Sequence, residues 1–221
     1  MKHVHLHFEK VIKNPRMLLM VVVGVVLVLV AFGGIAASGY VYHVEKPPIA
    51  SMIGWMPAAR VGSQTVTYAE YLKHVEAQRT FIEGPASQAQ GVTSTFGDPE
   101  RSAALERAIR IAAIDDLAFK AGMQVTQLDV ERAYLGLVDR AGTSTTPQEI
   151  RDFLHDQFGM DEVAFKEMVV RPALLEDTLR AKSSQESGDA QAFDKTLEER
   201  LKQSDVVRYV KFKSLANEPA S

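Results

Sequence analysis

The sequence predicts a mainly α protein, with one N-terminal transmembrane helix followed by a helical domain whose two ends are joined by a small antiparallel sheet. Three observations predict it. Residues 17–40 form an uncharged stretch, MLLMVVVGVVLVLVAFGGIAASGY, longer than the roughly 20 apolar residues that cross the hydrocarbon core as a helix. Behind it, apolar residues recur at helical spacing between cap residues. Two short alternating segments, at 59–66 and 205–213, stand at opposite ends of that helical region.

A single spanning helix satisfies every backbone group of the apolar run, which contains no ionisable side chain. Lys2, Lys10, Lys13 and Arg16 precede it, whereas Glu45 and Lys46 open the far side; that imbalance places the N-terminus in the cytoplasm and everything after about Val44 outside it. A cleaved signal peptide has an apolar core of about 7 to 15 residues. The uninterrupted run 17–35 exceeds that, so the anchor is expected to be retained. Tyr40, Tyr42 and Trp55 fall where aromatic belts lie at membrane interfaces. Met52, Ile53 and Met56 stand beside Trp55, either to meet lipid or to dock on the domain that follows. The expected organisation is a basic cytoplasmic tail (1–16), the spanning helix (17–44), a proline-containing linker (45–57), the helical domain (58–215) and a disordered tail (216–221).

Composition narrows the function classes. The formal net charge is −3, and with the basic residues of the cytoplasmic tail set aside the remainder is more acidic still, so no nucleic-acid partner is expected. No cysteine is present, which excludes disulfides, cysteine zinc sites and a lipidated cysteine as tether. At 46% hydrophobic residues, enough apolar surface remains outside the anchor for a modest core.

After Pro47, Pro48 and Pro57 stiffen the linker, Gly62-Ser63 turns a hairpin, with glycine at the first central position. Thr67 with Glu70 forms a capping box that opens a helix carrying Tyr71, Leu72, Val75 and Phe81 and ending before Gly84-Pro85. Asp98-Pro99 supplies an N-cap and a proline at the first helical position. The helix it opens carries Leu105, Ile109, Ala112, Ala113 and Leu117, with Ile111, Ile114 and Ala118 on another side, and is expected at the centre of the core. Thr126 and Asp129 mark a further start, with Val130, Tyr134, Leu137 and Val138 on its apolar side and Gly142 beyond its end. Thr146-Pro147-Gln148-Glu149 repeats the capping pattern before Ile150, Phe153, Leu154 and Phe158, and Gly159 closes that helix. From Asp161 a long helix carries Phe165, Met168, Val169, Leu175 and Leu179, and Pro172 predicts a kink near 168–172. Arg171 is placed to bond carbonyls freed there. A last helix carries Phe193, Leu197 and Leu201, before the strand at 205–213 returns to pair with the hairpin. The polar stretches 84–98 and 182–189 read as loops.

Little chemistry is encoded. His3, His5 and His7 have a spacing that permits metal binding, but the short tail offers no second shell to orient them, so no metal site or cofactor is expected. His74 and His155 sit among charged helical residues and read as parts of a solvated face. Asp115-Asp116 are adjacent on a helix, about 100° apart, and cannot share a proton; with Arg107, Arg110 and Lys120 they read as the solvated edge of that helix. No nucleophile elbow, phosphate loop or catalytic constellation is present, so no enzyme is expected. Phe153, Phe158, Met160, Phe165 and Met168 have two readings: core, as their spacing demands, or the lining of a promiscuous apolar groove, for which soft, adaptable side chains are suited.

Three stretches carry a family resemblance. Arg60-Val61-Gly62-Ser63-Gln64-Thr65-Val66-Thr67 before a helix resembles the V-N-G-x-x-I-[ST] opening of the SurA-type N-terminal chaperone region. Ala118 to Thr126, AFKAGMQVT, is similar to the family's A-x-x-x-G-[ILM]-x-V-[ST] junction. Phe158-Gly159-Met160-Asp161-Glu162-Val163-Ala164-Phe165-Lys166, followed by Arg171-Pro172-Ala173-Leu174-Leu175, is similar to its last long helix. Together they span roughly residues 58–182, and the layout with an anchor resembles that of PpiD-like members. The resemblance implies a helical cradle on the periplasmic side of the cell membrane. It implies unfolded or nascent exported polypeptides as partners, beside the lipid bilayer and the membrane secretion machinery, with Phe153, Phe158, Met160, Phe165 and Met168 as client-binding candidates. About 39 residues follow Lys182, too few for the parvulin isomerase domain of the family, so isomerase activity is not expected. A scaffold docking one folded membrane partner is the alternative.

Overall fold

The computed structural model describes residues 23, 26, 30, 34, 43–89, 95–141, 146–202 and 206–212, and it is mainly helical with a three-stranded antiparallel sheet. The chain divides into two units, Met1–Ile53 and Gly54–Ser221. In the first, Val23, Val26, Val30 and Gly34 are helical and the three valines are exposed. The other residues of the expected span at 17–42 lie outside the described ones, as do the tail 1–16 expected in the cytoplasm and the tail after 215. His43 and Val44 are not helical; His43 sits in a turn with φ +49°, so the helix predicted to reach residue 44 does not. Among the described residues no helix is long and apolar enough to cross a membrane. A short helix, α1 (Ile49–Ile53), ends this unit.

The second unit begins with the predicted hairpin. Strands β1 (Pro57–Val61) and β2 (Gln64–Thr67) pair around Gly62, whose φ of +56° is the left-handed conformation that glycine adopts without a Cβ clash. Strand β3 (Val206–Arg208) joins the outer side of β1, with Ala59 opposite Arg208 and Val61 opposite Val206. The two ends of the domain therefore meet in one sheet of order β2-β1-β3. The terminal strand is shorter than its alternating pattern predicts. Tyr209 and Val210 both turn their N–H groups onto Ala58 O, at 2.9 and 3.3 Å, so the ladder stops and Val210 drops into the core.

Helix α2 (Tyr68–Glu83) opens with the predicted capping box: Glu70 N–H donates to Thr67 Oγ1 at 3.2 Å and Thr67 N–H donates to Glu70 Oε2 at 2.7 Å. Short helix α3 (Pro85–Ala89) occupies part of the stretch expected as loop. Helix α4 (Asp98–Lys120) lies at the centre of the core and buries Leu105, Ile109, Ile114 and five alanines, whose small side chains let its neighbours approach on several sides. Its N-cap is Gly97 and not Asp98. The Glu100 carboxylate accepts from Gly97 N–H at 2.7 Å, leaving Asp98 inside the first turn to pair with Arg101.

The expected solvated edge of α4 is corrected at one residue above all. Asp116 is fully buried. It accepts from Arg200 Nη2 at 2.7 Å, Lys120 Nζ at 2.8 Å and Ser63 Oγ at 3.0 Å. Burial alone would push its carboxyl up, but the Lys120 and Ser63 hydrogen bonds and the Arg200 charge outweigh it and hold it below the usual carboxylate range. Asp115 pairs with Arg171 at 2.9 Å, so Arg171 ties α4 to the long helix and is not spent on freed carbonyls.

Helix α5 (Gln127–Ala141) starts at the reciprocal Thr126–Asp129 pair and buries Val130 and Tyr134, whereas Leu137 is exposed. The domain packs on α5 along the face of Val130, Ala133, Tyr134 and Val138, where Val170 meets it, and Leu137 lies off that face. Gly142 lies outside the described residues. Helix α6 (Pro147–Phe158) has the predicted Thr146–Glu149 box and ends at Gly159, φ +62°. Asp161 caps α7 (Glu162–Phe165) through Ala164 N–H at 2.7 Å. A π turn (Lys166–Val170) follows, and then α8 (Arg171–Ser187). The interruption predicted at Pro172 thus takes the form of a widened turn: Arg171 N–H reaches back five residues to Lys166 O, so the proline without an N–H is fitted into a continuous rod. Residues 182–187 continue α8 and are not a loop. Ser187 Oγ bonds Ser183 O within the helix, Lys182 Nζ reaches Ala121 O at 3.1 Å, and Gly188 ends the helix at φ +71°. Helix α9 (Ala192–Lys202) buries Phe193, Leu197 and Arg200.

Candidate functional site

A cleft runs between α2, α4 and the segment around the π turn. Its narrower part is a cavity of about 340 Å³ lined by Ala77, Phe81, Phe158, Met160, Phe165, Met168 and Val169, with His74, Gln78 and Arg107 as the polar groups. Beside it a wider cavity of about 690 Å³ is floored by Ile111, Ile114, Met168, Val169 and Pro172 and edged by Glu106, Arg107, Arg110 and Glu176. The two share Arg107, Met168 and Val169. A third cavity of about 300 Å³, at the open side of β2, also takes Met168 into its wall, together with His74 and Ile111.

Local sequence explains how these side chains converge. The left-handed Gly159 ends α6 close against α2; a Cβ there would stand 2.6 Å from Thr80 Oγ1. This approach sets the Phe158 ring parallel to Phe81, centroids 6.2 Å apart and planes 6° from parallel. Phe158 also meets Phe153 edge-on at 5.9 Å and Phe165 at 6.4 Å, and Phe165 continues edge-on to Tyr134 at 6.3 Å. Offset and edge-on contacts of this kind contribute roughly 0.5 to 1.5 kcal/mol each beyond burial. On the other wall, the extra residue of the π turn lets Met168 and Val169 both line the cleft while Val170 packs into the Val130–Tyr134 cluster. The turn is pinned at its start by Lys166, which donates to Glu131 and Glu162, both at 2.6 Å, and lies 4.3 Å over the Tyr134 ring.

Of the five client-binding candidates, Phe158, Met160, Phe165 and Met168 line one cavity. Phe153 stands outside it, 56% exposed, with its ring against Phe158. Met160 is buried and Met168 half-buried. Trp55 is 67% exposed, while Tyr40, Tyr42 and the three N-terminal histidines lie outside the described residues. Among the described residues no cluster of three acidic or histidine side chains could hold a metal ion.

His74 departs from the expected solvated face, whereas His155 is exposed as expected. Helix α2 turns His74 inward between two of the cavities, and burial, with the Arg107 charge second, lowers its pKa to about 4. It is therefore neutral in the cleft at ordinary pH. Sequence reasoning also passed over Ala77, Val169 and Arg107 as cleft residues. The signal available was the helical register of α2 and α4: His74, Ala77, Gln78 and Phe81 recur at spacings of three and four along one face.

Comparisons of the chain with protein-family models, with curated proteins and with solved structures found no match in any of the three.

Proposed function

We propose that this is a membrane-anchored, chaperone-like protein whose helical domain lies on the periplasmic side and holds unfolded or partly folded exported polypeptides, without a catalytic step. The observation that carries the reading is the continuous cleft, with the Phe81–Phe158–Phe165 aromatic wall on one side and Met168 standing in three adjoining cavities. Methionine adapts its shape to unlike partners, as a surface that receives varied sequences needs. The uncharged stretch 17–40 behind a basic tail supports the anchor and its orientation. The resemblance to SurA-type N-terminal regions supports the client class.

Magnitudes agree with holding as opposed to tight docking. Burying two or three apolar client side chains contributes roughly 3 to 9 kcal/mol, much of which is offset by lost translational and chain freedom. Binding of that strength is weak and exchangeable. A second reading, a scaffold for one folded membrane partner, draws on a different face: Leu128 and Leu135, two turns apart on α5, are both exposed.

Light scattering of a denatured secreted protein, diluted with and without the full-length protein in mild detergent, tests the reading. Aggregation is expected to slow, Met168→Asp to remove most of the effect, and Leu135→Asp to leave it intact. No suppression at several-fold molar excess, or loss with Leu135→Asp alone, overturns client holding and favours the scaffold. A proline-isomerisation assay on the same preparation is expected to show no activity.

A further inference from the structure

At the middle of its rim the cleft carries a cation, Arg107. Arg107 stands on the rim shared by the two larger cavities, and among the described residues no carboxylate or carbonyl bonds to it. Three ionised neighbours, Glu106, Arg110 and Asp115, are matched. Glu106 takes Arg208 at 2.7 and 2.8 Å, Arg110 takes Glu176 at 2.8 Å, and Asp115 takes Arg171. In the aromatic cavity Arg107 is the only ionised lining residue, because the burial that lowers the pKa of His74 leaves that ring neutral. Among the described residues, Lys73 and Glu167 on the adjoining wall by β2 are likewise without an ion-pair partner. The cleft thus presents an apolar channel with an open guanidinium at its mid-rim.

We infer that the cleft selects apolar segments bearing a carboxylate beside their aromatic or aliphatic side chains, with Arg107 pairing that carboxylate while Phe158, Phe165 and Met168 cover the apolar part. The inference rests on the client-holding reading and names the class of client it favours. A guanidinium suits the role because its planar fork takes a carboxylate bidentately and it sheds water more readily than an ammonium. Apolar walls around the rim focus its field. The chain as a whole is net negative, so a general attraction for acidic segments is not available and any preference has to come from the local charge. Arg107 is exposed, which limits the preference to roughly three- to tenfold.

The test uses the full-length protein in mild detergent and three labelled peptides of identical aromatic and leucine content that carry Glu, Gln or Lys at one central position, followed by fluorescence anisotropy at low and high salt. The Glu peptide is expected to bind tightest and the Lys peptide weakest, with the spread compressed by salt. Arg107→Gln is expected to equalise the three, and Arg107→Glu to reverse the order. Equal binding of the three by the wild type, a spread that salt leaves unchanged, or a spread that survives Arg107→Gln overturns the inference. In each of those cases a bound Gln peptide leaves client holding standing. If none of the three peptides binds, client holding itself falls, and the selectivity with it.

Discussion

Arg107 and Asp116 belong to the same helix and have opposite fates. Asp116 faces the hairpin and α9, is fully buried, and is met by Arg200, Lys120 and Ser63. Arg107 faces the cleft, is exposed, and has no ion pair among the described residues. The difference separates two uses of charge. A buried carboxylate persists only if its partners repay its desolvation, so Asp116 ties together elements distant in sequence, the Gly62-Ser63 turn and the C-terminal helix. A cation left open beside apolar walls adds nothing to the fold and keeps its capacity for something that arrives from outside.

The comparison breaks most visibly at the buried node. Arg200→Met, which leaves Asp116 buried with one strong partner fewer, is expected to cost about 3 to 5 kcal/mol in denaturant unfolding. The double substitution Asp116→Leu with Arg200→Met is expected to recover part of that loss. Equal costs for single and double variants would show that packing of Arg200, and not its charge pairing, holds α9 in place.

Next in size is the response to pH. His74 has an ordinary pKa of 6.5 when unfolded and about 4 in the folded domain, where burial, Arg107 and Lys73 oppose its charge and Glu70 favours it. Between those values the unfolded chain binds a proton that the folded one does not, so stability is full above about pH 6.5 and declines as pH falls towards 4. The shift corresponds to roughly 3 kcal/mol. Asp116, held below its ordinary value, adds its loss only in more acidic solution. Melting temperatures across this window for the wild type and His74→Gln should therefore converge at low pH; parallel curves would remove His74 from the account.

Gly62→Ala is expected to cost about 2 kcal/mol, because the residue sits at φ +56° and its Cβ would fall 1.9 Å from Arg200 Nη2 and 2.9 Å from Asp116 Oδ1. Circular dichroism melts that show no loss would mean that the node shifts to make room. At the other end of the scale, Arg107→Gln is expected to change stability by less than about 0.5 kcal/mol. A larger loss in the same melts would show that Arg107 contributes to the fold and sharpen the comparison against its role as an open site.

What the sequence by itself determined is local. The Thr67–Glu70 and Thr146–Glu149 boxes, the Gly62 turn, the Gly159 stop and the helical spacing behind them are contacts between residues a few positions apart, so their chemistry is readable in a short window. The meeting of the domain's two ends in one sheet was also legible, since two lone alternating segments each left backbone groups in need of a partner. Tertiary structure alone decided which face of each helix is covered. Asp116 and His74 look like surface residues among their charged neighbours and are buried, because the elements packed over them, α9 with the hairpin in one case and the cleft walls in the other, lie far away in the chain. The same holds for the cleft: Phe158 and Met168 are ordinary core residues by spacing, and they line a cavity only because Gly159 and the π turn bring two distant walls together at the distance that leaves it open.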